Sequence, residues 1–365
     1  MGPEVVTVLA NGALWSAFEK IEVHASFKDA VRTFSIHGAA EPGPTATAWT
    51  FKAGTEVDIL LNGDLAVRGY VDRYQPQLGE HKTAKFVASG RGKGQDFCDC
   101  AALHATGEFL NKTPLEIAQT LDQFGVGISS DVQLDAVPIA RITPGETAFR
   151  TVEKLLRAQG KFFVGQADGT IKITQAGQSR HAGGIFEGVN LKAGHADHNW
   201  SKRHSKIIVR GQRPLDHDAA NLQIEATAED SDVTRYRPAL VVHDGDLDAP
   251  RAKKRAAYRR DREAGRSLKG NEIRLQGFRD DGGLLWEPGF LVWMESPFLD
   301  ITQDMAIESV RFTQDRKQGS ESVLSLVDPR ALGGKQAAGA KAGAAWSTQA
   351  GENDPTSLDP ALSGQ

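Results

Sequence analysis

The chain has 365 residues, enough for two or three domains of ordinary size. Hydrophobic residues make up 40% and charged residues 25%, a globular balance that excludes a disordered or fibrous protein. The formal net charge of −4 excludes a nucleic-acid coat that is basic overall, although a local basic face stays open.

The opening third reads as β. Val6 and Val8 alternate with polar neighbours before Asn11-Gly12, a tight-turn pair. Ile21 and Val23 alternate again, as do Phe34 and Ile36. Val57, Ile59 and Leu61 run into a second hairpin pair, Asn62-Gly63, and Val67, Tyr70 and Val71 form the return. Short strands joined by such turns suggest a barrel or a sandwich. Cys98 and Cys100 follow, separated by one residue. They are badly placed to bridge each other, and a zinc pair would need two more ligands nearby, so they read as reduced residues on a strand or at a helix start.

A helical section comes next. Thr113-Pro-Leu-Glu116 has the form of a capping box with proline at the first helical position, and Leu115, Ala118, Leu121 and Phe124 supply the apolar spacing. A second helix is expected from Thr147 to Gln159, ended by Gly160. Lys161–Val164 and Ile171–Ile173 then flank Asp168-Gly169 as a hairpin. After Gly194 the β pattern resumes with Ile207–Val209, Leu222 and Ile224, and Leu240–Val242. Asp248-Ala-Pro250 opens a long basic helix that ends near Gly265, and strands return at Ile273, Leu275 and from Phe290. From Ala331 the composition turns to Ala, Gly, Ser and Gln, which cannot bury enough surface to offset ordering entropy. Trp346 is the one candidate anchor in that tail.

The chain carries a weak internal repeat. Gly54–Ile59 resembles Gly289–Met294, Gly69–Tyr74 resembles Glu308–Phe312, and Phe86–Arg91 resembles Leu324–Pro329, always in the same order. One β unit used twice explains this; coincidence between two ordinary antiparallel sheets is the alternative.

Motifs for chemistry fail on spacing. Gly90-Arg-Gly-Lys-Gly94 lacks the Ser or Thr that follows lysine in a phosphate loop, so a turn or bulge is expected. Asp244, Asp246 and Asp248 resemble the start of a calcium loop, but an EF-hand would need Gly at the place of Ala249 and an acid at that of Arg255. His195, His198 and His204 lie close in sequence without a zinc-binding helix motif, and read as a surface turn. No Gly-x-Ser-x-Gly elbow occurs. No cofactor and no metal are expected. No apolar stretch is long enough to span a bilayer and no signal peptide is visible, so synthesis in the cytoplasm without membrane insertion is expected.

Two groups stand out. Asp232, Arg235, Tyr236 and Arg237 could anchor a contact between domains or subunits, since Tyr and Arg favour interfaces, or could hold an internal turn. The basic helix carries Arg251, Lys254, Arg255, Arg259 and Arg262 among its cations. It could be a solvated outer helix, could pair with acidic surfaces of neighbouring subunits, or could face passing DNA.

The stretch Ala226–Ala239, containing Asp230-Ser-Asp-Val-Thr-Arg-Tyr-Arg-Pro238, together with the arginine-rich helix after it, resembles the baseplate hub proteins of Mu-like contractile-tailed phages. Phe97–Ala102, the helix start at Asn111–Glu116 and Gly289 fit the same pattern, and the resemblance runs to about Leu332. It implies an α+β, mainly β fold with two similar antiparallel β-barrels, a small α/β insert and a basic helix, assembled as a trimeric ring. The corresponding domains are 1–97 as the first barrel, completed by a returning segment near 185–212; 98–184 as the α/β insert; 213–330 as the second barrel with the basic helix at 250–265; and 331–365 as a flexible tail. The implied role is structural, not enzymatic. A homotrimer joins the tail tube, or its initiator, to the central spike, contacts other baseplate proteins, and leaves a channel for DNA as passing cargo. The implied location is the virion tail baseplate. A tail-associated peptidoglycan hydrolase and a DNA-binding module are the rival functions.

Overall fold

The computed structural model describes residues 4–16, 18–40, 51–79, 84–212, 223–316 and 319–334. The first unit contains β1 (Val6–Ala10), β2 (Ala13–Trp15), β3 (Lys20–Ser26), β4 (Thr33–Ala40), β5 (Glu56–Leu61), β6 (Asp64–Leu78) and β7 (Ala84–Gly92). Both Asn-Gly pairs make the expected hairpin turns: Asn11 and Gly12 take φ of 50° and 77°, Asn62 and Gly63 take 50° and 91°. Positive φ at both central residues matches the right-handed twist of the flanking strands. The alternating residues Val6, Val8, Ile21, Val23, Phe34, Ile36, Val57, Ile59 and Leu61 all lie in the core.

The insert follows with α1 (Gln95–Asp99), β8 (Glu108–Lys112), α2 (Pro114–Leu121), β9 (Ile128–Ser130), β10 (Val137–Arg141), α3 (Ala148–Ala158), β11 (Phe162–Gly165) and β12 (Ile171–Thr174). The capping box of α2 forms in both directions: Glu116 N donates to Thr113 Oγ1 at 3.3 Å and Thr113 N donates to Glu116 Oε2 at 2.8 Å. Thr147 caps α3 through its side chain alone, accepting from Arg150 N at 3.2 Å. The helices bury Ile117, Ala118, Leu121, Val152 and Leu156 against Phe97, Phe163, Ile171 and Ile173, a core separate from that of the large sheet.

The second unit contains β13 (Arg180–Phe186), β14 (Leu191–His198), β15 (Lys206–Gln212), β16 (Ile224–Glu229), β17 (Pro238–Asp246), α4 (Ala249–Gly265), β18 (Leu268–Gln276), β19 (Leu291–Ser296), β20 (Ile301–Asp315) and β21 (Gly319–Val327), closed by a 3₁₀ turn at Pro329–Leu332. Asp248 caps α4, accepting from Arg251 N at 2.7 Å.

Strand order repeats between the units. One runs β3-β4-β7-β6-β5-β1 and the other β14-β18-β21-β20-β19-β13, and both share one thirteen-stranded sheet because β20 pairs with β3. The details recur as well. Gly54 N donates to Val71 O at 2.7 Å and Val71 N to Thr55 O at 2.9 Å; Gly289 N donates to Ile307 O at 2.8 Å and Ile307 N to Phe290 O at 3.0 Å. Gly54 and Gly289 take φ of 85° and 86°. A register irregularity follows each of these contacts, between Val71 and Arg73 in one unit and Ile307 and Ser309 in the other.

Several extents differ from expectation. The sequence match of Gly54–Ile59 with Gly289–Met294 is in register, but Val71 is equivalent to Ile307 rather than Val310, and Ala88, not Phe86, is equivalent to Leu324. Alternation fixes a face, and a slip along the strand costs the pattern little, while the irregularity after Val71 breaks the count. The segment near 185–212 does not complete the first unit: β14 pairs with β18, β13 with β19, and β15 with β16 and β17. Residues 199–267 are an insertion where the first unit has the short β3–β4 hairpin, closed at its base by Asn199 N donating to Ser267 O at 2.8 Å. The strands at Ile207, Ile224 and Leu240 therefore form a small sheet of their own, ordered β16-β15-β17, on which α4 packs Ala252 and Ala256 against Ile207, Val209, Ile224 and Leu247. Leu222 and the tail from 335, with Trp346, lie outside the described residues.

Arg32 ties the two units and the insert together. Its side chain is 3% exposed and donates to Ala66 O at 3.0 Å, Gly165 O at 3.1 Å and Glu287 Oε2 at 2.6 Å. Arg32→Met is expected to lower stability by roughly 2–4 kcal/mol, since two buried carbonyls lose their donor while Glu287 keeps some solvent. Chemical denaturation followed by far-UV circular dichroism measures this, and an unchanged midpoint would refute it.

Candidate functional site

The stretch from Asp230 to Arg237 forms the turn between β16 and β17. Its centre is Arg203, 5% exposed, which donates to Asp230 through Nε at 2.7 Å and Nη2 at 3.0 Å and also contacts Asp232. A bidentate fork of this kind fixes both partners in orientation. The guanidinium lies 4.6 Å from the ring centroid of Trp200. Arg237 donates to Trp200 O at 3.0 Å and Ser201 O at 2.8 Å, and its own amide donates to Ser205 Oγ at 2.8 Å. Asp232 and Arg237 thus hold the turn internally, while Arg235 and Tyr236 point to solvent, with Tyr236 81% exposed. Leu240 and Val242 on the adjoining strand are also exposed. The four residues singled out from sequence therefore divide into two anchors and two free side chains. Arg203, the centre of the turn, escaped attention because nothing in its neighbourhood marks it as buried.

On α4 the cations have different surroundings. Arg251 reaches its own cap Asp248 at 3.5 Å, and Lys254 reaches Asp135 at 3.9 Å. Arg255 contacts His243 Nδ1 at 2.7 Å, and Arg259 donates to Glu263 at 2.8 Å. Arg262 has no carboxylate partner among the described residues, and its Nε is buried without a hydrogen bond. The helix is therefore solvated on one side and ion-paired along the other, and its last turns face a cavity.

That cavity, about 520 Å³, is lined by Lys28, Lys202, Arg259, Arg262, Arg266 and Lys269 among others. Burial, then Lys269, Arg266 and Arg262, push the pKa of Lys28 down to about 8. Between there and its unfolded value, the folded chain holds less of this proton than the unfolded chain does, so the local repulsion is relieved as pH rises above about 8 and is felt in full below it.

The histidines and cysteines singled out from sequence have separate surroundings. His195 and His198 lie on β14 rather than on a turn, His198 contacts Leu299 O at 2.9 Å, and His204 contacts Glu263 at 2.8 Å. Among the described residues no cluster of His, Cys, Asp and Glu is placed to hold a metal. Cys98 lies in α1, where burial first and Asp99 next push its thiol up to about 12; Cys100 is exposed, and both are free. Sequence reasoning missed a buried His181–Asp280 pair, Nδ1 to Oδ2 at 2.8 Å, with both side chains fully enclosed. Glu287 N donates to His181 Nε2 at 3.0 Å, which puts the proton on Nδ1. Burial opposes the Asp280 carboxylate, yet hydrogen bonds from His181, Leu284 N and Ala182 N outweigh it and hold its pKa below the usual range. Fully enclosed, the pair has no path to a substrate, and it packs beneath Trp286 and Phe290. No described helix is long and apolar enough to cross a membrane.

The first unit and the insert coincide with two known domain families. Residues 5–92 match the model of the Mu phage baseplate assembly protein GpP-like N-terminal domain, and residues 94–175 match that of the baseplate hub protein gp44-like second domain. The baseplate hub protein gp44 of Escherichia phage Mu is 26% identical over 334 residues, covering 88% of this chain and 87% of that protein. A 43 kDa tail protein of prophage MuSo2 from Shewanella oneidensis superposes with a TM-score of 0.79 at 26% identity, covering 90% of this chain and 99% of the other. A tail protein from Neisseria meningitidis MC58 gives 0.75 at 18% identity, with 90% and 99% covered. A type VI secretion component of E. coli, described as similar in structure to the T4 tail proteins gp27 and gp5, gives 0.54 at 12% identity with 91% and 79% covered, which is a likeness of fold alone. The resemblance to Mu-like hub proteins, carried by Ala226–Ala239 and the arginine-rich helix, is borne out by similarity along most of the chain, whose role is that of a structural baseplate hub of a phage tail.

Proposed function

We propose that three copies of this chain close into a ring of six similar β-barrels, two from each chain. The tail tube or its initiator sits on one face, the central spike on the other, and DNA passes through the channel between them. Other baseplate proteins surround the ring. The role is mechanical rather than catalytic, and the ring sits in the virion tail baseplate after synthesis in the host cytoplasm. Duplication explains the fit: three chains with two equivalent units offer six near-identical positions to a sixfold tube while keeping the threefold symmetry of a spike.

One observation carries this reading. Within the chain, Ser309–Asp315 of β20 pairs antiparallel with Lys20–Ser26 of β3. By the equivalences of the two units, the counterpart of β20 is β6 and the counterpart of β3 is β14. Those counterpart edges are open. Among the described residues, Asp72–Leu78 of β6 has no strand on the edge that β5 covers earlier in the strand, and β14 pairs only with β18. Open strand edges are templates for another chain. Joining β6 of one copy to β14 of the next repeats the internal junction and closes the ring. Carrying over the internal register sets Tyr74 opposite His198, Pro76 opposite Ala196, Gln77 opposite His195 and Leu78 opposite Gly194 of the next copy. Leu78, now 78% exposed, would be covered there. Arg235 and Tyr236 on the turn, and Leu240 and Val242 on the strand that follows it, are exposed and offer side chains suited to a further baseplate partner.

Light scattering should give a particle of three times the chain mass of 39.4 kDa. With the native cysteines replaced by serine, Gln77→Cys combined with His195→Cys should oxidise to a covalent trimer on non-reducing electrophoresis. A monomeric mass, or a folded double variant that never cross-links, would remove the proposed junction. Arg235→Glu with Tyr236→Ala should weaken binding to a baseplate partner tenfold or more, about 1.4 kcal/mol, with circular dichroism unchanged. Undiminished binding would return this patch to ordinary solvent.

A further inference from the structure

The basic cavity is not required by the ring junction, and its chemistry points to a ligand. Four elements converge on it: Lys28 just after β3, Lys202 just after β14, the last turns of α4 with Arg259 and Arg262 and then Arg266 just past its end, and Lys269 at the start of β18. The acids of the lining, Glu263 and Asp197, are outnumbered by six Lys and Arg side chains, and Asp29 nearby also acts on Lys28. Glu263 serves both Arg259 and His204, each at 2.8 Å. Glu308 is shared by Lys28, in direct contact, and Lys269 at 3.7 Å. Asp197 lies on β14 opposite Lys269 and is the other acid in the lining. Lys202, Arg262 and Arg266 are left with no carboxylate partner among the described residues, and the buried Nε of Arg262 has no acceptor. A buried donor without an acceptor and a crowd of like charges are both unfavourable in the empty cavity.

We propose that this cavity binds a compact polyphosphate-type anion that locks α4 and β14 to the β3 corner. A single acidic side chain brings one charge and two oxygens; a linked phosphate brings several charges and acceptors in all directions, which suits donors arriving from four sides. About 520 Å³ lies within the usual range for small-ligand pockets and is far too small for a nucleic-acid duplex. The C-terminal end of a helix ordinarily repels anions. Here two of its last carbonyls are occupied, since Arg266 N donates to Arg262 O at 3.1 Å and Ser267 Oγ donates to Ala264 O at 2.7 Å, and Arg259, Arg262 and Arg266 stand in and just past the last turns. The cations of the last turns therefore set the sign of the field in the cavity.

The test uses the full chain and sodium tripolyphosphate as the probe, with sodium chloride at matched ionic strength as control. Thermal unfolding should rise by roughly 3–6 °C at a hundredfold excess over Kd. The rise should vanish in Arg262→Gln combined with Lys202→Gln. Lys28→Met guards against a variant that fails to fold: it removes one charge from the crowd, so without ligand it should be at least as stable as the wild type, and its tripolyphosphate response should be reduced. Equal midpoints in tripolyphosphate and chloride would overturn the proposal. So would a response confined to a short single-stranded oligonucleotide or a glutamate-rich peptide tested alongside, or a full response in the Arg262 and Lys202 double variant. None of these outcomes bears on the ring, which light scattering and cross-linking judge separately.

Discussion

A single buried guanidinium couples the parts of this chain. Arg32 leaves the β3–β4 corner and satisfies a carbonyl of β6, a carbonyl of β11 and the carboxylate of Glu287. Glu287 in turn gives its amide to His181, and His181 gives its proton to Asp280, which also receives Ala182 N and Leu284 N. A continuous polar chain thus runs from the first unit through the insert contact into the second unit. Burying a charge is unfavourable unless each donor finds an acceptor, so the three segments must meet in one arrangement for Arg32 to be tolerated. Apolar contact alone would permit sliding; this network does not.

The shared sheet is a consequence of the same corner. The β3–β4 hairpin that bears Arg32 also places β3 beside β20, and Phe27 N donates to Glu308 O at 2.8 Å just beyond the paired residues. Gly289 lies against Phe27 so closely that an added Cβ would stand 2.3 Å from the ring, whereas Gly54 has open space there and shares with Gly289 only the positive φ. Side chains from both units, such as Val23, Ile36, Val310 and Phe312, then form one core.

Much of the local structure was legible in the residues themselves. Asn-Gly pairs specify their turns through backbone sterics, and Thr113, Thr147 and Asp248 specify helix starts through their side-chain acceptors; these signals act within a few residues and need no tertiary context. The repeat was visible because the glycine at its start is demanded by backbone geometry, yet its register was partly misjudged because a local irregularity shifts the count without altering the apolar pattern. The excursion of 199–267 out of the main sheet was not legible. Its strands have the same alternation as strands of the large sheet, and periodicity names a buried face without naming what covers it. For the same reason Arg32, His181 and Arg203 passed as ordinary polar residues, and the basic cavity, assembled from four distant segments, left no trace in any one of them. The turn at Asp230–Arg237 stood out in the sequence, but only structure separates the side chains that hold it from those that face outward.

The two insertions sit where they leave the duplicated edges free. Residues 93–179 join β7 to β13, and 199–267 leave β14 at His198 and return at β18. Among the described residues, neither lays a strand along Asp72–Leu78 or along the outer side of β14. Had the second insertion branched from the middle of β14, or had β17 docked on it, the counterpart of the β20–β3 junction would be blocked while the internal one stayed intact. With the observed placement, one such pair of edges joins within the chain and, among the described residues, the counterpart pair carries no strand. Elaboration at the corners is compatible with a closed array because it adds mass without consuming the backbone groups through which equivalent units join.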